Sequence, residues 1–333
     1  MDRDTLLERM SGYTGVTARL GDSDTKVAEA ETPSGFAIKP SRGARSVPIG
    51  EAGMANLLDF AGVPAKLAEK LEPQTLGKVA TQALTSKRAD GTYTMLTKGG
   101  EVMEFAPPSQ TRNIPATRVV DNIAKGIPSD VEFRRFLDLP RYTLRIETVG
   151  EQEHAVKVGD LVRAGTVTQF SPLGLTVPSV EAFNERLVCT NGMTARDFAQ
   201  EWRHAGGRGG AGEGDDIWQF FRKANRDAYA AFGRTVERYD ELAQTSINPE
   251  DRGMILEALM REGGIRGDLA AAVRNDAITS PPEDEWDMVN LISRVTSHVL
   301  EDPREIVRAQ RAAAGFVAAD EHSRTCPSCS RAQ

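Results

Sequence analysis

The sequence predicts an α+β protein, with a mixed, mainly antiparallel sheet and short covering helices followed by a helical C-terminal part. Strand-like alternation of apolar and polar residues and closely spaced Gly, Pro and Asp turns dominate residues 1–193. Apolar residues three and four positions apart dominate residues 215–319. The chain has 333 residues, of which 40% are hydrophobic and 27% charged, which is typical of a globular protein with a sizeable core.

The first part is expected to contain short elements separated by turns. In order, these are a helix over residues 3–12, strands over 16–20 and 26–38, two or three covering helices over 51–88, a hairpin over 92–105 and a helix over 117–125. Lys98-Gly99-Gly100 supplies the turn of the hairpin, because glycine readily adopts positive φ angles.

Strands are predicted to dominate residues 133–189. The clearest alternation covers residues 141–146, where Arg141, Thr143 and Arg145 share one face and apolar side chains share the other. Cys189 ends an apolar run, for which a buried thiol is the ordinary outcome.

After Met193 the chain is predicted to become helical. We therefore divide it into an α+β sheet domain over residues 1–193, a glycine-rich flexible loop over 206–214, a helical part over 215–319 that packs on the sheet, and a loose polar tail over 320–333 with a CxxC motif. A long apolar stripe over residues 217–242 leads the helical part.

Composition and charge restrict where the protein is expected to work and what it is expected to bind. No apolar run is long enough to span a membrane, Met1-Asp2-Arg3-Asp4 does not resemble a signal peptide, and three cysteines are typical of a reduced protein, so we expect no membrane partner and a cytoplasmic location. The net charge is −7, distributed as +1 over residues 1–150 and −8 over residues 151–333. This acidity disfavours a protein coated in nucleic acid but permits a local basic groove.

The sequence favours a non-enzymatic protein. It has no G-x-S-x-G motif, and the glycine-rich segment lacks the Lys and Ser/Thr of a phosphate-binding loop. The acidic run over residues 283–287 is compatible with a hard-metal cluster but also suits a helix N-terminus. We therefore expect neither a catalytic residue nor a cofactor.

The C-terminal tail leaves one metal site open. Cys326 and Cys329 have the spacing of a zinc-binding pair, and His322 is a possible third ligand, whereas structural zinc takes four ligands. The alternative is a loose tail that binds no metal.

A basic segment over residues 112–145 gives the strongest indication of a binding site. It contains Phe133-Arg134-Arg135-Phe136, and arginines interleaved with aromatic rings are typical of single-stranded nucleic-acid binding. The candidate phosphate-binding residues are Arg134, Arg135, Arg141 and Arg145, with Arg222, Lys223 and Arg226 as a second patch. The alternative is that the phenylalanines belong to the core and the arginines are merely solvated.

Several sequence strings together indicate a family. They are Asp160-Leu161-Val162-Arg163-Ala164-Gly165, Phe170-Ser171-Pro172-Leu173-Gly174, Pro178-Ser179-Val180, Arg186-Leu187-Val188-Cys189-Thr190-Asn191-Gly192-Met193 and Trp286-Asp287-Met288-Val289-Asn290, followed by Thr296. With these strings the chain resembles the phage/plasmid-like proteins known as domain of unknown function 932, over roughly residues 45–315. The glycine-rich segment and the cysteine tail depart from that pattern.

The resemblance implies a protein of bacteriophages or plasmids, working in the cytoplasm of a bacterial host among DNA replication and recombination functions. Size and element content are also similar to phage single-strand annealing proteins of the Rad-fifty-two-like kind, which form oligomeric rings. The leading hypothesis is therefore a homo-oligomeric protein that binds or anneals single-stranded DNA. The alternatives are an oligomeric phage assembly protein without nucleic-acid binding and a metal-dependent nucleic-acid enzyme.

Overall fold

The computed structural model describes residues 3–20, 24–32, 34–86, 92–106, 112–139, 143–187, 194–204, 216–262, 264–299 and 315–317. The helices are α1 (Arg3–Ser11), α2 (Glu51–Ala61), α3 (Ala65–Ala68), α4 (Pro73–Ser86), α5 (Ala116–Ala124), α6 (Asp216–Gln244), α7 (Arg252–Glu262), α8 (Gly267–Thr279) and α9 (Glu285–Val299). The strands are β1 (Tyr13–Arg19), β2 (Lys26–Glu29), β3 (Phe36–Lys39), β4 (Val47–Ile49), β5 (Thr92–Lys98), β6 (Glu101–Ala106), β7 (Val131–Leu139), β8 (Thr143–Lys157), β9 (Asp160–Phe170), β10 (Ser179–Leu187) and β11 (Thr194–Arg203). The α+β class is confirmed.

The first sheet has the strand order β1-β5-β6-β4-β3-β2. Its pairs are antiparallel except β4 with β6, which run parallel at Ile49 and Val102. The predicted β5–β6 hairpin is confirmed, and Gly99 and Gly100 turn it with φ angles of 59° and 87°. Helices α2 and α4 cover this sheet, which encloses the core around Leu57 and other apolar side chains.

The second sheet is an antiparallel meander in the order β11-β10-β9-β8-β7. Its last strand corrects the prediction that the chain becomes helical after Met193, because residues 194–203 pair with β10 along their length. Ala195, Gln200 and Glu201 favour helices intrinsically, but pairing with a strand already in place outweighs that weak preference. The sheet therefore continues ten residues past the predicted boundary.

The second sheet is curled. Arg134 on β7 contacts Glu185 on β10, although β8 and β9 lie between them. In a flat sheet the two strands would be about 14 Å apart, since neighbouring strands are spaced by about 4.8 Å. The contact requires a concave face, which also holds a small buried cluster of Val149, Val167 and Phe183.

Helix α6 crosses the other face of this sheet. Its N-terminal half, with Phe221, belongs to a core shared by α1, α5 and both sheets, here called the first core. Its C-terminal half, with Tyr239 and Leu242, belongs to the second core, which it forms with α7, α8 and α9. No helix among the described residues has both the length and the apolar character needed to cross a membrane.

A buried polar network fixes α6 on the sheet. The Asn225 amide accepts a hydrogen bond from the Thr166 hydroxyl at 2.7 Å and donates to Thr168 at 3.2 Å. Thr148 lies 2.7 Å from the Thr166 hydroxyl and 2.9 Å from that of Tyr229. Because buried polar groups are costly without partners, this network favours one position of the helix along the sheet.

Alkaline pH should lower the free energy of unfolding, because the buried Tyr229 hydroxyl resists ionisation. Burial raises the pKa of its hydroxyl well above the ordinary value, and the hydrogen bond to Thr148 only partly opposes this. The unfolded tyrosine ionises near pH 10 while the folded one keeps its proton, so this contribution to stability is complete below about pH 10 and is lost as the pH rises further.

We expect Tyr229→Phe to cost about 1 kcal/mol at neutral pH through the lost hydrogen bond. Urea unfolding at pH 7 and pH 11 measures the effect, with the native chain as the reference. The native chain should lose more stability between these two pH values than the variant does. Equal losses would show that Tyr229 is not the group responsible.

Candidate nucleic-acid interface

The predicted sheet arginines are engaged with carboxylates. Glu185 is buried on β10 and forms ion pairs with Arg134 and, at 3.2 Å, with Arg163. Arg145 lies 3.2 Å from the buried carboxylate of Glu147 on the same strand. A carboxylate enclosed in this way needs a cation beside it, and these arginines supply one.

These contacts show where the structure places the predicted sheet arginines. Arg134 and Arg145 each pair with a buried carboxylate, although the side chain of Arg134 is still 40% exposed, and phosphate binding by either arginine stays a prediction. Arg135 is exposed and opposes Glu147 in the strand register, while Arg141 lies outside the described residues. The alternation itself is confirmed over residues 143–146, because Leu144 and Ile146 are buried while Thr143 and Arg145 are only partly buried.

We expect Arg134→Gln to lower the free energy of unfolding by about 1–3 kcal/mol, because the buried Glu185 would lose one of its cations. Denaturant titration measures the loss. The exposed neighbour provides a matched control, and Arg135→Gln should change stability by less than about 0.5 kcal/mol. A stable Arg134 variant with weakened DNA binding would contradict the structural role.

A basic groove lies instead between α5 and α6. Arg118, Asn122 and Lys125 are spaced so that they share one side of α5, and Trp218 and Arg222 lie one turn apart on α6. Together with Asp121 and Gln219 these residues line an open, polar depression of 380 Å³, which we call the α5–α6 groove. Its wall thus combines residues about a hundred positions apart in the chain.

Two contacts join the walls of the groove. The Arg118 guanidinium lies 4.2 Å from the centre of the Trp218 ring, in a cation–π contact. The Arg222 guanidinium donates a hydrogen bond to the side-chain oxygen of Asn122 at 3.1 Å. Both arginines are held in place by neutral partners here, so neither contact cancels a positive charge.

The electrostatic balance of the groove is positive. Its lining holds three cations and one carboxylate, and that carboxylate, Asp121, forms an ion pair with Arg3 at 2.5 Å. Among the described residues, neither Lys125 nor Arg222 pairs with a carboxylate, and both are exposed. This arrangement suits an anion with several oxygens, such as a phosphate.

Gly126 sets the separation of the two helices. It lies two residues past the end of α5, and a Cβ placed there would lie 2.3 Å from the carbonyl oxygen of Arg222. No side chain fits at that distance, so glycine lets the end of α5 lie against the backbone of α6. The sequence marks this glycine only as a helix stop.

The second predicted patch lies at the groove and beside it. Arg222 lines the groove, as described, and the exposed Lys223 is its neighbour on α6. Arg226 follows one turn later and lies 3.4 Å from Asp227; its own side chain is largely in solvent and that of Asp227 is partly exposed. Such a surface pair contributes little, so Arg226 remains able to exchange its partner for a phosphate.

The acidic run over residues 283–287 lies at the start of α9 and stabilises that helix end. Asp284 accepts a hydrogen bond from the backbone N–H of Asp287 at 2.9 Å, and the Lys157 ammonium contacts both carboxylates at 2.5 and 2.6 Å. Burial lowers the pKa of Lys157, but the two carboxylates outweigh it and the net shift is upward. Within the described ranges no cluster of three or more possible metal ligands occurs, and His322, Cys326 and Cys329 lie outside those ranges.

Three of the strings that carry the family resemblance meet in one cluster at the base of α9. Asp160 accepts hydrogen bonds from the Trp286 indole at 2.6 Å and from the Asn290 amide at 2.8 Å. The buried Arg186 donates to Asn290 and to Ser293, and its guanidinium lies 4.8 Å from the Trp286 ring. Asn290 thereby bridges an anion and a buried cation, which gives these strings a structural role.

Sequence reasoning included Arg222 and missed the rest of the groove lining. Arg118 and Lys125 belong to the basic segment, and their seven-residue spacing on an amphipathic helix is the signal that places them on one side. That signal does not reveal the α6 wall opposite. No protein-family model, curated protein or solved structure matches the chain.

Proposed function

We propose that this protein binds single-stranded DNA, without cleaving it, through the α5–α6 groove. The observation that carries the proposal is the groove lining, in which Lys125 and Arg222 are exposed and have no carboxylate partner among the described residues. Lys223 and Arg226 extend the basic surface along α6. Arg134 and Arg145, by contrast, are paired with buried carboxylates on the sheet.

The shape of the groove favours a flexible strand over a duplex. The depression is bounded by two helices that Gly126 holds close together, and it is far smaller than a duplex groove interface. A single strand can present successive phosphates to separate cations, whereas bases remain free to turn outward. Binding of this kind is independent of sequence and depends strongly on salt.

A salt titration tests the proposal. A fluorescently labelled single-stranded oligonucleotide is titrated with the protein at several salt concentrations, and its anisotropy gives the affinity. Three groove cations predict a log–log slope of about −2, at about −0.7 for each neutralised phosphate. No binding at low salt would refute the function, and equal affinity for a duplex of the same length would refute the preference for single strands.

Membership of the phage/plasmid-like family is a proposal as well. Its support is the meeting of Asp160, Arg186 and Asn290, which come from three separate strings of the resemblance. Residues joined by hydrogen bonds around a buried arginine depend on one another, so strings with this structural role are suited to mark a family fold. The DNA-handling context implied by that family, in a bacterial cytoplasm and with a homo-oligomeric protein, agrees with the groove.

A further inference from the structure

A cavity lies under α6, where the helix passes from the first core to the second. It has a volume of 260 Å³ and opens to solvent between the helix and strands β9 to β11. Small side chains create it, because Ala164 and Ala182 on the sheet face Ala228 and Ala231 on the helix. The larger rings of Phe232 and Tyr239 line it as well, so its walls are mainly apolar.

The polar groups of the cavity lie mostly on one side of α6. Arg234 and Arg238 are one turn apart on that helix, and no carboxylate lines the cavity among the described residues. Arg238 is already bound to Glu241 and to the carbonyl oxygen of Val317. Arg234 is exposed and forms no hydrogen bond or ion pair with another described residue.

Three of the other polar side chains of the lining bond within the protein, whereas Gln200 is exposed. The Thr235 hydroxyl donates to the carbonyl oxygen of Ala231 at 3.3 Å. Asn184, which is buried, donates a hydrogen bond to the Tyr239 hydroxyl at 2.9 Å. The cavity walls are therefore mainly apolar, and Arg234 adds a positive charge to the lining. Ligand pockets combine an apolar body with a few polar groups that fix orientation in this way.

We propose that this cavity binds a small amphiphilic anion, with a flat apolar body against the alanines and a carboxylate at Arg234. The volume is below the range of drug-sized pockets, so it suits a ligand of roughly ten non-hydrogen atoms. A guanidinium accepts a carboxylate in a bidentate arrangement, which accounts for the preferred charge. The proposal is independent of DNA binding, since Arg234 lies about three turns beyond the groove residue Arg222 along α6.

Phenylacetate and its neutral analogue phenylacetamide are the probes, and their binding is followed by NMR titration of the full chain. We expect a dissociation constant of about 1 mM for phenylacetate and an affinity about tenfold lower for phenylacetamide. Arg234→Gln should remove this difference, and Ala231→Leu, which fills the cavity, should weaken both probes at least about tenfold. DNA affinity should be unchanged in both variants.

Three outcomes would overturn the proposal: no saturable binding of phenylacetate, equal affinity for the two probes in the native chain, or native affinity in Ala231→Leu. If the leucine variant does not fold by circular dichroism, Ala182→Val fills the same cavity from the sheet side and replaces it. Because the DNA titration is separate, loss of DNA binding in the native chain would leave the cavity result standing.

Discussion

Replacement of Asp160 by alanine is expected to lower the free energy of unfolding by about 2–4 kcal/mol. The carboxylate accepts hydrogen bonds from the Trp286 indole and the Asn290 amide, and Trp286 is fully buried. Its loss would leave the indole N–H without a partner in the interior, which costs far more than the net value of a satisfied hydrogen bond. Equilibrium unfolding in urea measures the change.

The isosteric variant separates hydrogen bonding from charge. Asp160→Asn keeps an acceptor oxygen, so its loss of unfolding free energy should be about half of that in Asp160→Ala. The exposed Glu257, which pairs with Arg274 on the surface, provides a control, and Glu257→Ala should change stability by less than about 1 kcal/mol. Native stability in Asp160→Ala would show that the cluster does not hold α9 to the sheet.

Simultaneous charge reversal at Lys125→Glu and Arg222→Glu is expected to reduce the affinity for single-stranded DNA on the order of 100-fold at low salt. The two residues supply two of the three cations of the α5–α6 groove. Reversal replaces an attraction for phosphate by a repulsion at both positions. Anisotropy titrations at several salt concentrations measure affinity and slope together, and the log–log slope should fall in magnitude by about 1.4.

The matched control makes the same change in net charge at two positions outside the groove. Arg274→Glu with Arg261→Glu, on α8 and α7, changes the charge by the same amount away from the groove. This variant should weaken binding by less than about threefold, through the general field of the molecule alone. If both double variants weakened binding equally, the groove would not be the binding site.

Local signals in the sequence predicted local structure well. The β5–β6 hairpin follows from Gly99 and Gly100, whose φ angles the turn requires, and the apolar stripe over residues 217–242 follows one side of α6. The strand over residues 194–203 could not be predicted from local signals. Its residues suit a helix, and it is a strand only because β10 lies beside it.

The site was partly predictable for the same reason. Arg222 was predicted as part of a second basic patch, and it lies on the groove. Its neighbour Asn122 is 100 residues earlier in the chain, so no spacing rule relates them. Likewise, no sequence signal relates Arg134 to Glu185, because the two residues meet only through the curl of the sheet.

Helix α6 is about 43 Å long, since its 29 residues each advance about 1.5 Å. Phe221 near one end and Leu242 near the other are both fully buried, each in a different core. Either core alone would leave half of this rod with its apolar side in water. We therefore expect the sheet region and the helices after it to unfold as one cooperative unit. A fragment that stops at Arg203 would lack the helix that covers the first core.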